Sequence, residues 1–437
     1  MNHIVALTQY DARGSVKKAI ELSRAFHNVK PSDTVFIKPN IVFWAKVPFP
    51  KWGVITTSTV VQEVVELLND QGVHNITIGE GIVTLKPGDT ETATHAFYYL
   101  GYTTLAKQYG IKVVNIFDRP FEKVYLDDEI EISLNTDALQ CDFLINLPVL
   151  KTHAQTVVSL GLKNLKGLLN IASRKKFHNP DDNKNLHYMI AKLHTLLPKG
   201  ATIIDGIYTL ERGPGFDGKP QRSNIIIASA DTLSADLVGS KVLGHDPQSI
   251  PYLHLSATQQ GRKSDLSDIT IVGESLESLS SYHEYTFPYN KEGTLPEKLH
   301  KMGVMGLSYP KYDTTMCTYC AALNGAVLTA ITFAWQGKPW NDVEVLTGKK
   351  MQPSPGKKYT ILLGQCMVNL HKNNSSINAI PVKGCPPDPK ETVKALHKAG
   401  IEVNPIIFEH LDIAPSYFME RYKNKPEYEE QFYMIHL

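Results

Sequence analysis

The sequence predicts an α/β fold: a mainly parallel sheet with helices on both faces, followed by a smaller C-terminal α/β unit that holds most of the cysteines. Three observations lead there. Short apolar runs alternate with stretches of helical spacing, as parallel strands and their crossovers must. Polar residues gather just beyond the ends of those runs. Four of the five cysteines fall after residue 316.

Taken in order, residues 3–7 read as a first strand and 15–26 as a helix. The apolar run 34–37 stops at Lys38-Pro39-Asn40. Residues 59–68 (TVVQEVVELL) have the spacing of a packed helix, with Ser58 as its N-cap. The run 75–78 closes in Gly79-Glu80-Gly81, and further strands are expected at 112–116, 143–147, 201–204, 224–228 and 269–272, with a helix over 232–243. The pattern weakens between 276 and 310, which divides the chain into an α/β domain over 1–300 and a cysteine-rich region over 301–437. In the latter, 344–358 reads as an exposed loop, 359–363, 378–382 and 403–408 as strands, and 389–399 as a helix.

A chain of 437 residues exceeds what one core usually supports, so two units are the natural expectation. Lys plus Arg (45) and Asp plus Glu (44) almost cancel, which removes the electrostatic motive for general nucleic-acid or anionic-membrane binding. The first residues lack a basic start followed by a long apolar run, and no stretch approaches the roughly 18 apolar residues of a membrane span. A cytoplasmic protein is expected.

The cysteines are spaced for a metal group. Cys317 and Cys320 form C-x2-C, Cys366 follows a strand and Cys385 sits in KGCPPDP. Four thiolates match a [4Fe-4S] cluster or a structural zinc. One tight pair completed by two distant single cysteines, one of them before proline, points to the cluster, with zinc as the alternative and unliganded core cysteines as a third reading. Cys141 reads as a buried small side chain.

The polar strand ends are Lys38 and Asn40, Glu80, Lys151 to His153, Asp205 and Asp231. In open parallel sheets that edge binds ligands, although loops are polar in any case. The stretch 142–170 (DFLINLPVLKTHAQTVVSLGLKNLKGLLN) reads as a buried strand that breaks at Pro148, a loop presenting Lys151, Thr152 and His153, and a helix over 156–170 carrying Lys163, Asn164 and Lys166. Lysines three apart on one helix face repel by roughly 0.2–0.5 kcal/mol unless an anion lies between them. A solvated basic face is the plain alternative. His153 and Lys151 are candidates for acid-base work and Lys38 for the same crevice, which would suit a small carboxylate or phosphate. There is no Walker A loop and no strand-linked G-x-G-x-x-G.

Lys38-Pro39-Asn40, LPVLKTH followed by GLKNLKGL, IIDGI with Glu211 and Gly213-Pro214, and the segment around Asp231 and Asp236 resemble the family known as domain of unknown function 362. The resemblance covers roughly residues 1–275. The C-terminal C-x2-C, single cysteine and GCPP are similar to iron-sulfur regions carried by members of that family, without the ferredoxin run C-x2-C-x2-C-x3-C. The resemblance implies a fold, a cluster and a cleft, and no reaction. The expectation is therefore an iron-sulfur protein that binds a small anion at its strand ends and exchanges electrons with it. The other readings are a non-enzymatic electron carrier or redox sensor docking a partner protein, and an acid-base enzyme with a structural cysteine site.

Overall fold

The strand Phe143–Leu147 is buried along its whole length, and its neighbours explain why. It lies inside the sheet with a parallel strand on either side, so both of its faces are covered. A computed structural model describes residues 3–84 and 88–436. By contacts the chain forms two compact units, one from 1–174, 187–286 and 415–437, the other from 175–186 and 287–414.

The first unit holds β1 (His3–Gln9), β2 (Val35–Pro39), β3 (Ile76–Glu80), β4 (Lys112–Asn115), β5 (Phe121–Tyr125), β6 (Glu131–Asn135), β7 (Phe143–Leu147), β8 (Val149–His153), β9 (Val157–Ser159), β10 (Gly200–Glu211), β11 (Lys219–Ser229) and β12 (Ile269–Gly273). Ten of these make one sheet in the order β12-β1-β11-β10-β7-β2-β3-β4, with β8 and β9 attached beyond β10, while β5 and β6 pair separately. The sheet is mostly parallel, but β11 runs antiparallel between β1 and β10 because it returns directly from β10 as a long hairpin. Alternate residues Ala6, Ile37, Ile78, Ile145 and Ile203 enter a core shared with the helices Ser15–Ser23 and Ser58–Asp70. The helix Thr232–Val242 packs on β1, β10 and β11. The N-cap of Ser58–Asp70 is Thr57, one residue earlier than its sequence suggests, with its hydroxyl accepting from the Val60 amide.

Residues 142–170 depart most from expectation. Lys151, Thr152 and His153 lie on a buried strand, β8, and not on a loop. β8 pairs with the continuation of β10 and with β9, so its polar side chains are held in register by backbone hydrogen bonds. The helix expected over 156–170 does not form. Val157 has a positive φ of 64°, Val157–Ser159 is a strand, and only the turn Gly161–Asn164 and the 3-10 turn Leu165–Leu168 are helical. Adjacent Val157 and Val158 favour the strand. The leucines of the apparent helical stripe are buried all the same, from two short turns.

The second unit has a four-stranded parallel sheet, β13 (Leu307–Ser308), β14 (Val343–Leu346), β15 (Tyr359–Leu363) and β16 (Ala379–Val382), in that order. Its core joins the helices Thr318–Ala334 and Pro389–Lys398. Two sequence expectations fail here. Glu344 to Leu346 belong to buried β14, the Glu344 carboxylate accepting from the Ser354 amide and hydroxyl. Residues 403–408 are not a strand, because Pro405 opens the helical turn Ile406–Glu409.

Candidate functional site

The register of the central strands sets out a polar row. Lys38 on β2 stands opposite Asn146 on β7, and Asn146 opposite Thr202 on β10. All three are buried, although β2 and β7 are otherwise apolar. Groups that are costly to bury need partners, and each has them. The Lys38 ammonium donates to Glu80 Oε2 and to the Pro39 carbonyl, both at 2.7 Å. Glu80 also accepts from the Ile41 amide at 2.9 Å and the Gly81 amide at 2.8 Å, so its carboxylate is fully engaged. Burial lowers the Lys38 pKa, and Glu80 opposes that shift.

Lys151 differs. It is buried, and its Nζ donates to Asn40 Oδ1 and to the Val54 carbonyl, both at 2.6 Å. Neither partner carries a charge. Burial pushes its ammonium well below the ordinary range, with Lys163 as the next contributor. From Lys151 a chain of amides runs inward: Asn40 Nδ2 donates to Asn164 Oδ1 at 2.9 Å, Asn164 Nδ2 to Asn146 Oδ1 at 2.8 Å, and Asn146 Nδ2 to the Gly161 carbonyl at 2.9 Å. Lys163, half-buried on the turn Gly161–Asn164, has the Ser159 hydroxyl at 3.5 Å as its hydrogen-bond partner among the described residues. Burial pushes its ammonium down to about 7. His187 lies close enough to feel that charge, and burial first, then Lys163, takes its ring down to about 4.

The turn that carries Lys163 is fixed from below. Buried Asp236 accepts the Gly161 amide at 2.6 Å and the Leu162 amide at 2.8 Å. Gly167, on the following 3-10 turn, comes so close that a Cβ there would lie 2.7 Å from Lys38 Nζ and 3.1 Å from Glu80 Oε1. Arg174 ties this turn to the end of β3 through the carbonyls of Gly167, Leu169 and Gly81. Lys38, Asn40, Glu80, Lys151, Lys163 and Asn164 are thus one hydrogen-bonded and charge-coupled group.

Other predicted residues have different surroundings. The Thr152 hydroxyl is directed at the carbonyls of Leu210 and Glu284, at 3.1 and 2.9 Å, and braces β8. His153 Nδ1 accepts the Gln155 amide at 3.1 Å. Lys166 is half-buried. Asp205 accepts the Thr57 amide at 2.7 Å and the Ile207 amide at 3.1 Å, and burial raises it to about 6. Asp231 caps the helix Thr232–Val242 and pairs with Arg262 at 2.7 Å, away from the lysines. Two members of the group are missing from the sequence reading. Asn146 had a signal, an amide inside the apolar run FLINL, whereas Arg174 had none.

In the second unit the cysteines sit on three segments, two of them helix starts. Cys317 caps the helix Thr318–Ala334 and Cys320 lies in its first turn. Cys366 and Cys385 follow the carboxyl ends of the adjacent parallel strands β15 and β16, and their loops are joined by the Gln365 amide donating to the Gly384 carbonyl at 3.0 Å. Gly364 packs so that a Cβ would lie 3.0 Å from Cys320 Sγ. The thiols of Cys317 and Cys320 share a hydrogen bond, which lowers the pKa of the first and raises that of the second. Cys366 and Cys385 both act electrostatically on Cys320, and Lys349 on Cys317 and Cys366. The four cysteines are thus coupled electrostatically. Among the described residues, however, no three or more His, Cys, Asp or Glu form a group that would hold a metal ion. Cys141 is buried in the first unit, its Sγ 3.3 Å from the Ala138 carbonyl.

The first unit is therefore an α/β protein with a buried lysine-asparagine group at the carboxyl ends of parallel strands. Residues 35–241, which hold that group, match the model of the family described as Domain of unknown function (DUF362). The four clustered cysteines lie outside the matched stretch. The chain is similar to a thylakoid-associated protein of Synechocystis sp., 28% identical over 226 residues, or 51% of this chain and 67% of that protein. It is also similar to the lactate racemase apoprotein from Thermoanaerobacterium thermosaccharolyticum, at 15% identity and a TM-score of 0.32, over 55% of this chain and 57% of the racemase. Among the described residues no helix is long and apolar enough to cross a membrane.

Proposed function

We propose that this protein binds a small carboxylate or phosphate at the lysine group of its first unit and one [4Fe-4S] cluster on Cys317, Cys320, Cys366 and Cys385 of its second. The observation that carries the first half is Lys151. It is a buried ammonium whose hydrogen-bond partners among the described residues are neutral, and an incoming negative charge would offset the cost of burying it. Glu80 acts on Lys151 through space and makes no hydrogen bond to it, its carboxylate being committed to Lys38 and two amides. Lys163 adds a second lysine, with no carboxylate partner among the described residues.

The second half is supported by the electrostatic coupling of four cysteines at helix starts and strand ends with one another and with Lys349 and Lys175, whose charges favour an anionic cluster. Such a group, when bound, supplies one-electron chemistry. The protein's own contribution is four thiolates and nearby positive charge. Zinc on the same cysteines is the alternative. A cytoplasmic setting, a redox enzyme and a redox partner protein belong to the same proposal. Exposure of Cys366 and Cys385 favours, as a second reading, a non-enzymatic electron carrier or redox sensor. In that case His153→Ala leaves electron transfer intact.

One preparation tests both halves. Protein purified without oxygen is expected to contain iron and acid-labile sulfide in equal amounts and to absorb in the visible. Zinc without sulfide would sink the cluster. Calorimetric titration with phosphate and small carboxylates is expected to show binding with proton uptake, read from buffers of different ionisation enthalpy. Binding that takes up no proton, or survives unchanged in Lys151→Met, argues against the lysine group.

A further inference from the structure

We infer that Lys163 is a nucleophile of this site, and that the anion it serves carries a carbonyl next to its acid group, as a 2-oxo acid does. This rests on the proposal that the lysine group binds an anion, and it names the substrate class. The three site lysines are not equivalent. Lys38 is locked by Glu80 and the Pro39 carbonyl, and Lys151 by Asn40 and the Val54 carbonyl. Both are almost without exposed surface. Lys163 is half-buried, keeps part of its surface open, and has as its hydrogen-bond partner among the described residues the Ser159 hydroxyl, at the long distance of 3.5 Å.

Among the described residues, the groups coupled to it come from three elements: Ser159 on β9, Lys151 on β8, and His187 on the helix Leu186–Leu193. None of these three is a carboxylate, and the Asp236 carboxyl beneath the turn is taken up by the Gly161 and Leu162 amides. An amine so placed loses little on giving up its proton, and a neutral amine adds to a carbonyl carbon. Burial brings its ammonium down to about 7, against about 10.4 for an ordinary lysine. Its position is not left to chance, because the turn beneath it is pinned by Asp236 through two backbone amides.

The step balances without an added reagent. The Lys163 nitrogen bonds to the carbonyl carbon and gives a carbinolamine once a proton moves from nitrogen to oxygen. The hydroxyl then leaves as water with a proton taken from solvent, while the nitrogen keeps its remaining proton. The product is an iminium, reversible by hydrolysis. The substrate's acid group stays paired with the cationic charge of Lys151.

Two measurements on the full chain test this. In the first, the protein is mixed at neutral pH with pyruvate or 2-oxoglutarate and sodium cyanoborohydride. One reductively attached group per chain is expected, mapped to Lys163 and lost in Lys163→Arg. The second needs no choice of substrate: trace acetylation with acetic anhydride across a pH series. Below its pKa the amine is protonated and inert, so Lys163 labelling should rise through about pH 7. Surface lysines should rise only through about 10.4. Ser159→Ala is expected to keep that profile to within about half a unit, which separates the role of the amine from that of its hydroxyl neighbour.

A Lys163 that titrates with the surface lysines overturns the inference, as does trapping that is scattered and unchanged in Lys163→Arg. If phosphate still binds with proton uptake while Lys163 is unreactive, the nucleophile falls and the anion site stands. If Lys163 reacts at neutral pH but no anion binds, the site reading falls instead.

Discussion

Glu80 is the counter-charge on which Lys38 depends, and the dependence is unequal. The pair sits almost out of reach of water, with the lysine side chain 0% and the glutamate 3% exposed. Removing one partner strands the other. Glu80→Ala should therefore destabilise the first unit by about 3–5 kcal/mol, read as a shift of the urea midpoint. A double change to Lys38→Met and Glu80→Leu should recover much of that, because neither charge then remains to be buried. If Glu80→Ala costs no more than an exposed pair would, the burial of Lys38 is wrong. Lys151 has already accepted the condition that Glu80→Ala would impose on Lys38, an ammonium held by neutral groups. The negative charge that the site is proposed to receive would supply what those neutral partners do not.

At the scale of elements, the strands of the first unit were legible and the turns were not. The apolar runs at 34–37, 75–78 and 143–147 fall on β2, β3 and β7, because a strand buried on both faces leaves a continuous signal. Lys38, Asn40, Glu80 and Lys151 could be picked out because they interrupt or follow such runs. Residues 156–170 misled because leucines spaced 4 and 3 apart fit a helix and two short turns equally well. What decided between them was tertiary: the pairing of β9 with β8, and the carboxylate of Asp236, which lies 75 residues from the amide of Gly161 that it receives. No local pattern announces a partner that far away. Gly167 is the most sensitive point of the 3-10 turn. Gly167→Ala would push a methyl group into Lys38 and Glu80, neither of which has room to retreat. Overpacking of this kind costs about 1–3 kcal/mol. The variant should also bind phosphate at least tenfold more weakly in the calorimeter. Unchanged affinity would place the anion elsewhere.

For the molecule as a whole, residues 415–437 belong to the first unit although they follow the second in the chain. Tyr422, Phe432 and Tyr433 are buried there, and Tyr433 hydrogen-bonds the Lys51 carbonyl at 3.0 Å while Glu430 pairs with the Lys51 ammonium at 2.7 Å. Each such aromatic contributes about 1.5–3 kcal/mol by burial. Deleting 415–437 should lower the melting temperature of the first unit and speed proteolysis of 1–174. It should leave the reactivity of Cys366 and Cys385 toward a thiol reagent as it was. Faster thiol labelling after the deletion would contradict the division into units. The same arrangement has a consequence for synthesis. A ribosome makes about 5–20 residues each second, and domains ordinarily fold as they emerge, the first before the last. Here the first unit must wait through the translation of 287–437, roughly 8–30 s, before the segment that completes it exists. During that interval the second unit has nearly all of its own chain. The N-terminal unit is thus born first and finished last: its strands are all made by residue 273, and what stays open in the interval is the surface that Tyr422, Phe432 and Tyr433 later cover.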